Sequence, residues 1–146
     1  MGYDKNGGAI QGGYDYGCTK GEMKIEVYRI TQTNVNGVVT ELTYPQIEEF
    51  CKKGNLTPSH KYYTGKAKDV YPELSVDEHW HENFIINLEK DYNEKYCFMC
   101  INKVPEEGII IRKESLFSCE SYKLKSFRFL ESESKELDKG VVDLES

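Results

Sequence analysis

Two short stretches in the second half of the chain carry residues suited to hold a cation and a phosphate together. Residues 106–112 read EEGIIIR, and residues 122–127, which begin ten positions later, read YKLKSF. Glu107 opens an apolar strand that we predict to be buried on both faces, and a carboxylate fixed there is a suitable ligand for Mg²⁺. Lys123 and Lys125 are two positions apart, so a strand points both to one face. Two ammonium groups there can neutralise a phosphoryl group during nucleotidyl transfer.

Each of these features also has an ordinary structural reading. Acidic-glycine turns before strands are common in loops, and alternating lysines occur on exposed edge strands, where they block aggregation between sheets. Tyr28 lies in an alternating stretch, where its ring can stack on a base for about 1 to 3 kcal/mol or simply belong to a sheet. The residue pattern leaves both readings open at each position.

The other candidate chemistry is a metal site built on cysteine and histidine. Cys97 and Cys100 have zinc-ligand spacing, but no second pair follows, and a structural zinc site takes four ligands. His79 and His81 would project about 200° apart on a helix and cannot readily share one ion. A small interaction domain stabilised by zinc at Cys97 and Cys100 therefore stays an alternative, beside the reading in which both cysteines are buried apolar side chains.

The bulk composition narrows the class of protein. A chain of 146 residues is enough for one domain. No apolar run approaches the length of about 20 residues that crosses a bilayer, and the N-terminus lacks the blocks of a signal peptide. Five cysteines without an export signal indicate reduced thiols, so we predict a cytoplasmic protein. A net charge of -6 argues against nucleic-acid binding by total charge, although a local basic groove can still bind phosphates.

The first elements that must position these residues are turns, a hairpin and two helices. Seven glycines in residues 1–21 predict loops, and the alternation over residues 23–33 before Asn36-Gly37 predicts a β-hairpin. Two capping boxes predict helix starts. The boxes are Thr43 with Gln46, for a short helix ending at Gly54, and Ser75 with Glu78, for a longer helix. The predicted buried stripes are Ile47, Phe50 and Cys51 in the first helix, and Trp80, Phe84, Ile85, Leu88 and Tyr92 in the second.

The remaining elements are strands followed by a polar tail. We predict strands over residues 96–102, 108–112 and 121–129. After Leu130 the chain is rich in Glu, Ser and Lys, which indicates a weakly packed acidic tail over residues 131–146. The element order predicts an α+β fold.

Taken together, the motifs resemble those of ATP-dependent RNA ligases, especially the phage-type and virus-type members of the covalent nucleotidyltransferase superfamily. Residues 23–30 resemble motif IIIa, residues 106–112 motif IV and residues 122–127 motif V, in the family's order and spacing. Residues 13–18 and 102–105 add to the similarity. The resemblance covers nearly the whole chain.

The resemblance implies a fold, a reaction and roles for four residues. The fold would be an adenylyltransferase domain of antiparallel sheets with two inserted helices. A lysine would attack ATP to give lysyl-AMP, AMP would pass to an RNA 5′-phosphate, and a 3′-hydroxyl would displace it. Glu107 would hold Mg²⁺ or Mn²⁺, Lys123 and Lys125 would contact the α-phosphate, and Tyr28 and its neighbours would form part of the adenine pocket. The partners would be ATP and the RNA ends of a repair reaction.

One departure from the family bears on activity. The family's nucleophile lies in a Lys-x-Asp-Gly or Lys-x-His-Gly motif, and this sequence contains neither. We therefore expect residues 1–130 to be an N-terminally truncated ligase domain, in the host cytoplasm if viral, that lacks the segment with motif I and cannot adenylylate itself. The alternatives are a non-catalytic module that binds a nucleotide or nucleic acid, and a fragment of a DNA ligase. DNA ligases usually carry an additional domain after motif V, and the 16 residues that follow Leu130 favour the DNA ligase alternative less without excluding it.

Overall fold

The computed structural model of the chain describes residues 1–74, 76–115 and 118–137. It shows an α+β protein with short sheets and, over those residues, four α-helices, so the predicted class is confirmed. The strands are β1 (Glu26–Val27), β2 (Thr31–Thr33), β3 (Val39–Glu41), β4 (Thr57–Pro58), β5 (Gly108–Glu114) and β6 (Cys119–Lys125). The helices are α1 (Tyr44–Gly54), α2 (Ala67–Val70), α3 (Trp80–Tyr92) and α4 (Phe127–Leu137), with a 3₁₀ turn at Pro72–Leu74.

The chain folds into two compact units. Of the residues that the structure describes, the first unit contains residues 1–62, 100–102 and 111–122, and the second contains residues 63–99, 103–110 and 123–137. Among the described residues, none of the helices combines the length and the apolar character needed to span a membrane.

The strands of the described residues pair in three two-stranded sheets. β2 and β3 are antiparallel, with Gln32 opposite Thr40. β5 and β6 are also antiparallel, because the amide of Ser126, just after β6, donates to the carbonyl of Glu107, just before β5. β1 and β4 are parallel, with Val27 opposite Pro58, so the expectation of antiparallel sheets alone is wrong for this pair.

The predicted hairpin at Asn36-Gly37 is confirmed, but of the predicted first strand over residues 23–33 only Thr31–Thr33 take part in it. It joins β2 and β3, and the Asn34 side chain accepts the amides of Asn36 at 2.9 Å and Val38 at 3.0 Å. Gly37 has a φ of 79°, a left-handed conformation that glycine adopts without steric cost. Local turn chemistry therefore fixes this register.

The first predicted helix is also confirmed. The Gln46 side chain accepts the amide of Thr43 at 2.9 Å, which closes the capping box at the start of α1. Ile47 and Cys51 are fully buried and pack with Leu42 in the core of the first unit. Phe50, predicted to be buried with them, is half exposed, because the buried face of α1 is narrower than the apolar pattern indicates.

The second helix begins later than predicted. The proposed cap, Ser75, lies outside the described residues, and α3 starts at Trp80. The Asp77 side chain accepts the amide of His79 at 2.8 Å and also binds the side chain of Asn83, so it stabilises this later start. In the predicted stripe Leu88 is buried and Ile85 is exposed. Trp80, Phe84 and Tyr92 are half-buried.

Three strand predictions need correction. No strand is formed over residues 96–102, all of which the structure describes; apart from one bridge between Tyr96 and Pro105, they lie in bends and irregular segments. Ile110 is exposed, so β5 is not buried on both faces. β6 ends at Lys125 and α4 replaces the predicted strand end, because the Ser126 hydroxyl accepts the amide of Phe129 and favours a helical turn there. The helix continues to Leu137, and the rest of the predicted tail lies outside the described residues.

Candidate functional site

The open end of the β5–β6 pair brings together the chain positions around three of the predicted site residues. The amide of Ser126 donates to the carbonyl of Glu107 at 2.8 Å, which pairs the residue before β5 with the residue after β6. Gly108 approaches β6 so closely that a Cβ atom there would lie 1.9 Å from the carbonyl oxygen of Leu124. Its φ of 132° also strains any other residue. Glycine at 108 thus permits the close pairing of the strands beside Glu107.

The two predicted phosphate contacts lie in β6 and differ in their surroundings. Alternation along the strand places both lysines on one face. Lys123 is exposed, whereas the side chain of Lys125 is 31% exposed. The Lys125 ammonium lies 3.2 Å from both carboxylate oxygens of Glu133 on α4 and 5.3 Å from the centre of the Phe129 ring. Lys125 is therefore held by the chain's own carboxylate.

At the same end of the strand pair lie two adjacent glutamates, Glu106 and Glu107. The sequence indicates Glu107 as the fixed carboxylate, but the more deeply buried one is Glu106. Glu107 is half-buried, while Glu106 is only 9% exposed. Burial raises the pKa of Glu106, and the charge of Glu107 raises it further, whereas hydrogen bonds from the amides of Gly108 and Glu107 and the charge of Lys95 lower it. The backbone of Glu106 is fixed as well, because its carbonyl accepts the buried hydroxyl of Ser126. The sequence signal that could have identified Glu106 is its position directly beside a second carboxylate.

Metal ligands are few in this arrangement. Over residues 1–74, 76–115 and 118–137, no three His, Cys, Asp or Glu side chains form a group that could hold a metal ion. Mg²⁺ needs only one or two protein carboxylates when substrate phosphates complete its ligands, so Glu107 fits such a role. The zinc alternative gains no support, because Cys97 and Cys100 have no further ligands of these four types among the described residues.

Tyr28 lies in the first unit, immediately after β1. Tyr28 is 72% exposed and Ile25 is also largely exposed, whereas Val27 packs against the core. An exposed ring can stack on a base, so the role of Tyr28 stays a prediction. The structure adds a contact of its backbone, since the carbonyl accepts a hydrogen bond from Arg112 at 3.1 Å.

Arg112 is the centre of a network that sequence reasoning missed. Its side chain is only 14% exposed and lies 2.9 Å from the Glu114 carboxylate and 3.2 Å from the Glu41 carboxylate. It also donates to the carbonyls of Leu42 at 2.9 Å and of Tyr28. A guanidinium with five donors in a fixed plane can bind several acceptors at once. The only sequence signal was a charged residue directly after an apolar strand.

The same network explains the state of Cys119. Its sulfur lies 3.1 Å from an Arg112 nitrogen and 3.5 Å from a Glu41 oxygen. Burial raises the pKa of Cys119, Arg112 lowers it, and Glu41 raises it again, with a net shift upward. Because the thiolate is the nucleophilic form of cysteine, the raised pKa of Cys119 disfavours a nucleophilic role for it. Glu114 also accepts the amide of Tyr44 at 2.9 Å, which ties the start of α1 to the network.

Comparison of the chain with protein-family models, with curated proteins and with solved structures finds no match in any of the three. The functional interpretation therefore depends on the three motifs and on the residues around the open end of β5 and β6.

Proposed function

We propose that this chain supplies the metal-binding and phosphate-binding strand pair of an ATP-dependent RNA ligase. Glu107 binds Mg²⁺ or Mn²⁺, and Lys123 and Lys125 bind the α-phosphate of the adenylate. The single observation that carries this proposal is the hydrogen bond between Ser126 and Glu107, because it brings the acidic opening of β5 and the basic end of β6 to one edge of one strand pair.

The chemistry follows from charge. In the sealing step the oxygen of an RNA 3′-hydroxyl bonds to the phosphorus of the adenylylated 5′-end, the bond to AMP breaks, and the hydroxyl proton passes to solvent. The phosphoryl oxygens carry negative charge throughout, so the two ammonium groups lower the barrier by electrostatic stabilisation, and a divalent cation held by Glu107 would add to that stabilisation. The lysyl-AMP step is assigned to no residue of this chain, because neither nucleophile motif of the family occurs in it.

A second candidate is a non-catalytic module that binds a nucleotide or single-stranded RNA. The observation that favours it is the same missing nucleophile motif, together with the exposed ring of Tyr28. This candidate and the ligase share the phosphate contacts and differ only in whether a bond is made.

Equilibrium binding of a fluorescent ATP analogue in the presence of Mg²⁺ tests the shared site. We expect the double variant Lys123→Ala/Lys125→Ala to lose at least about tenfold in affinity, because two charges that face the phosphate are removed. The matched control is Lys113→Ala, which removes a lysine that is 76% exposed in β5. That control should change affinity by less than about twofold. Equal binding by the wild type and the double variant would refute the site.

Sealing of a 5′-adenylylated RNA separates the two candidates. Such a substrate already carries AMP, so it bypasses the lysine nucleophile. Formation of a sealed product that requires Mg²⁺, Lys123 and Lys125 supports the ligase, whereas binding without sealing supports the module. Comparison of RNA and DNA acceptor strands tests the DNA ligase alternative. Incubation with labelled ATP should leave the chain unlabelled.

A further inference from the structure

The ion pair between β6 and α4 lies on one of the residues proposed to bind phosphate. Both oxygens of the Glu133 carboxylate lie 3.2 Å from the Lys125 ammonium. The two side chains are 31% and 24% exposed, so the pair is partly shielded from water. An anion that binds to the Lys125 ammonium must therefore displace the Glu133 carboxylate or share the ammonium with it.

The first turn of α4 fixes the position of Glu133. Ser126 is 1% exposed, and its hydroxyl accepts the amide of Phe129 at 3.2 Å. Phe129 is buried and its ring lies beneath the Lys125 ammonium. Residues four apart lie on the same face of a helix, so Glu133 is presented on the face that Phe129 anchors. The contact follows from helix geometry and a capped, buried first turn.

We propose that Glu133 is an autoinhibitory carboxylate that occupies the place of the phosphoryl group on Lys125. This inference rests on the proposed function, since it assigns Lys125 to phosphate. A carboxylate brings one negative charge, whereas the α-phosphate is joined to further charged phosphates, so the polyphosphate as a whole presents more negative charge to Lys125 than Glu133 does. A multiply charged phosphate therefore displaces Glu133, while weakly charged anions do not.

The ion pair between Lys125 and Glu133 is weak enough for another anion to replace the carboxylate. A lysine bound to a single, partly exposed carboxylate contributes little to stability, because water and salt screen the attraction. Breaking it therefore costs little when a better anion arrives. The ammonium is also a compact charge on a flexible stem, so it can turn from one anion to another without a change of backbone.

The decisive variant is Glu133→Gln, with Glu131→Gln as its control. Both remove one negative charge from α4, but Glu131 is exposed. The probes are the fluorescent ATP analogue with Mg²⁺ and inorganic tripolyphosphate. We expect Glu133→Gln to bind both about three to five times more tightly than the wild type, because the competing carboxylate is gone. Glu131→Gln should bind within about twofold of the wild type.

A double variant shows whether the gain acts through Lys125. In a chain that already carries Lys125→Ala, the substitution Glu133→Gln should bring no gain in affinity. Circular dichroism confirms that α4 is retained in each variant.

The outcomes are distinguishable. Absence of binding by both the wild type and Glu133→Gln would refute the proposed function and this inference with it. Binding by the wild type that Glu133→Gln leaves equal or weakens would refute only the inference, and weaker binding would show that Glu133 positions Lys125 instead of competing for it.

Discussion

The two units differ in the surroundings that they give to a buried charge, although the two residues compared, Arg112 and Glu106, are close together in the sequence. In the first unit, the Arg112 side chain is 14% exposed and is bound by the carboxylates of Glu41 and Glu114. In the second unit, Glu106 is 9% exposed and has the charge of Glu107 beside it. The buried guanidinium has opposite charges beside it, whereas the buried carboxylate has a like charge whose effect exceeds that of its opposite charge, Lys95.

The difference indicates where chemistry should be sought. A fully compensated ion is part of the framework, because moving it would leave its partners buried and unpaired. Groups with perturbed pKa values and exchangeable partners are found more often at functional sites. Glu106 has a raised pKa, and Lys125 is paired with a carboxylate that is partly exposed. The comparison thus favours the open end of β5 and β6 over the Arg112 network as the functional region.

The largest predicted effect is the loss of stability when the Arg112 guanidinium is removed from its carboxylate partners. We expect Arg112→Met to lower the free energy of unfolding by about 3 kcal/mol, because it leaves the largely buried Glu114 carboxylate without its cation and leaves Glu41 only its pair with Arg29. It also leaves the carbonyls of Tyr28 and Leu42 without their donor. Urea denaturation at neutral pH measures the change.

Lys113→Met is the control for that experiment, since it removes a cation from the next position of β5. Its ammonium is exposed and lies 3.7 Å from Glu120, so its loss should cost less than about 1 kcal/mol. Similar losses in the two variants would show that Arg112 is a surface cation in solution.

The pH dependence of stability at Asp15, a carboxylate of the first unit, extends the comparison of the two units. The Asp15 side chain accepts the amides of Gly17 and Ile101, each at 2.8 Å. These bonds, with that of Gly17 the larger cause, lower the pKa of Asp15. Its contribution to stability is therefore present above the ordinary aspartate pKa of about 3.9 and is lost as the pH falls through the folded value.

We expect Asp15→Asn to have a lower melting temperature than the wild type at pH 7, and the gap to narrow as the pH falls below about 4. Thermal denaturation followed by circular dichroism from pH 3 to pH 7 measures it. The exposed residue Asp4 is no suitable control, because it also accepts backbone amides. Asp69→Asn in α2 removes the same charge from an exposed position. A difference in melting temperature that stays constant at all pH values would show that the charge of Asp15 does not contribute to stability.

Local signals in the sequence predict the elements whose contacts are close along the chain. The hairpin at Asn36-Gly37 and the cap of α1 each depend on residues within about four positions, and both are confirmed. The core position Ile47 follows from helical periodicity. The lysine spacing likewise needs only the alternation of β6.

Contacts between distant positions account for what the sequence did not predict. The amide of Ile101 bonds to a side chain 86 positions away, so residues 96–102 turn where their apolar pattern predicts a strand. Arg112 meets the carbonyl of Leu42 across 70 positions. The burial of Glu106 in place of Glu107 depends on the approach of Ser126, 20 positions later. None of these partners can be identified from periodicity or turn chemistry.

The smallest predicted effect tests the uncompensated side of the comparison. Burial and Glu107 raise the pKa of Glu106 above the ordinary glutamate value of about 4.3, so the folded chain binds this proton more tightly than the unfolded chain. Stability then falls as the pH rises from the ordinary value through the folded one. Glu106→Gln stays uncharged, so we expect a higher melting temperature than the wild type at pH 7 and none of that gain below about pH 4.

The gain should be modest, because hydrogen bonds from the amides of Gly108 and Glu107 partly stabilise the ionised carboxylate that the substitution removes. Glu131→Gln, exposed in α4, controls for the change in net charge and should show no such pH dependence. A Glu106→Gln chain that melts below the wild type at pH 7 would mean that the ionised carboxylate is held by favourable partners, as Arg112 is. The two units would then stabilise buried charge in the same way, and the pKa of Glu106 would no longer favour the open end of β5 and β6 as the functional region.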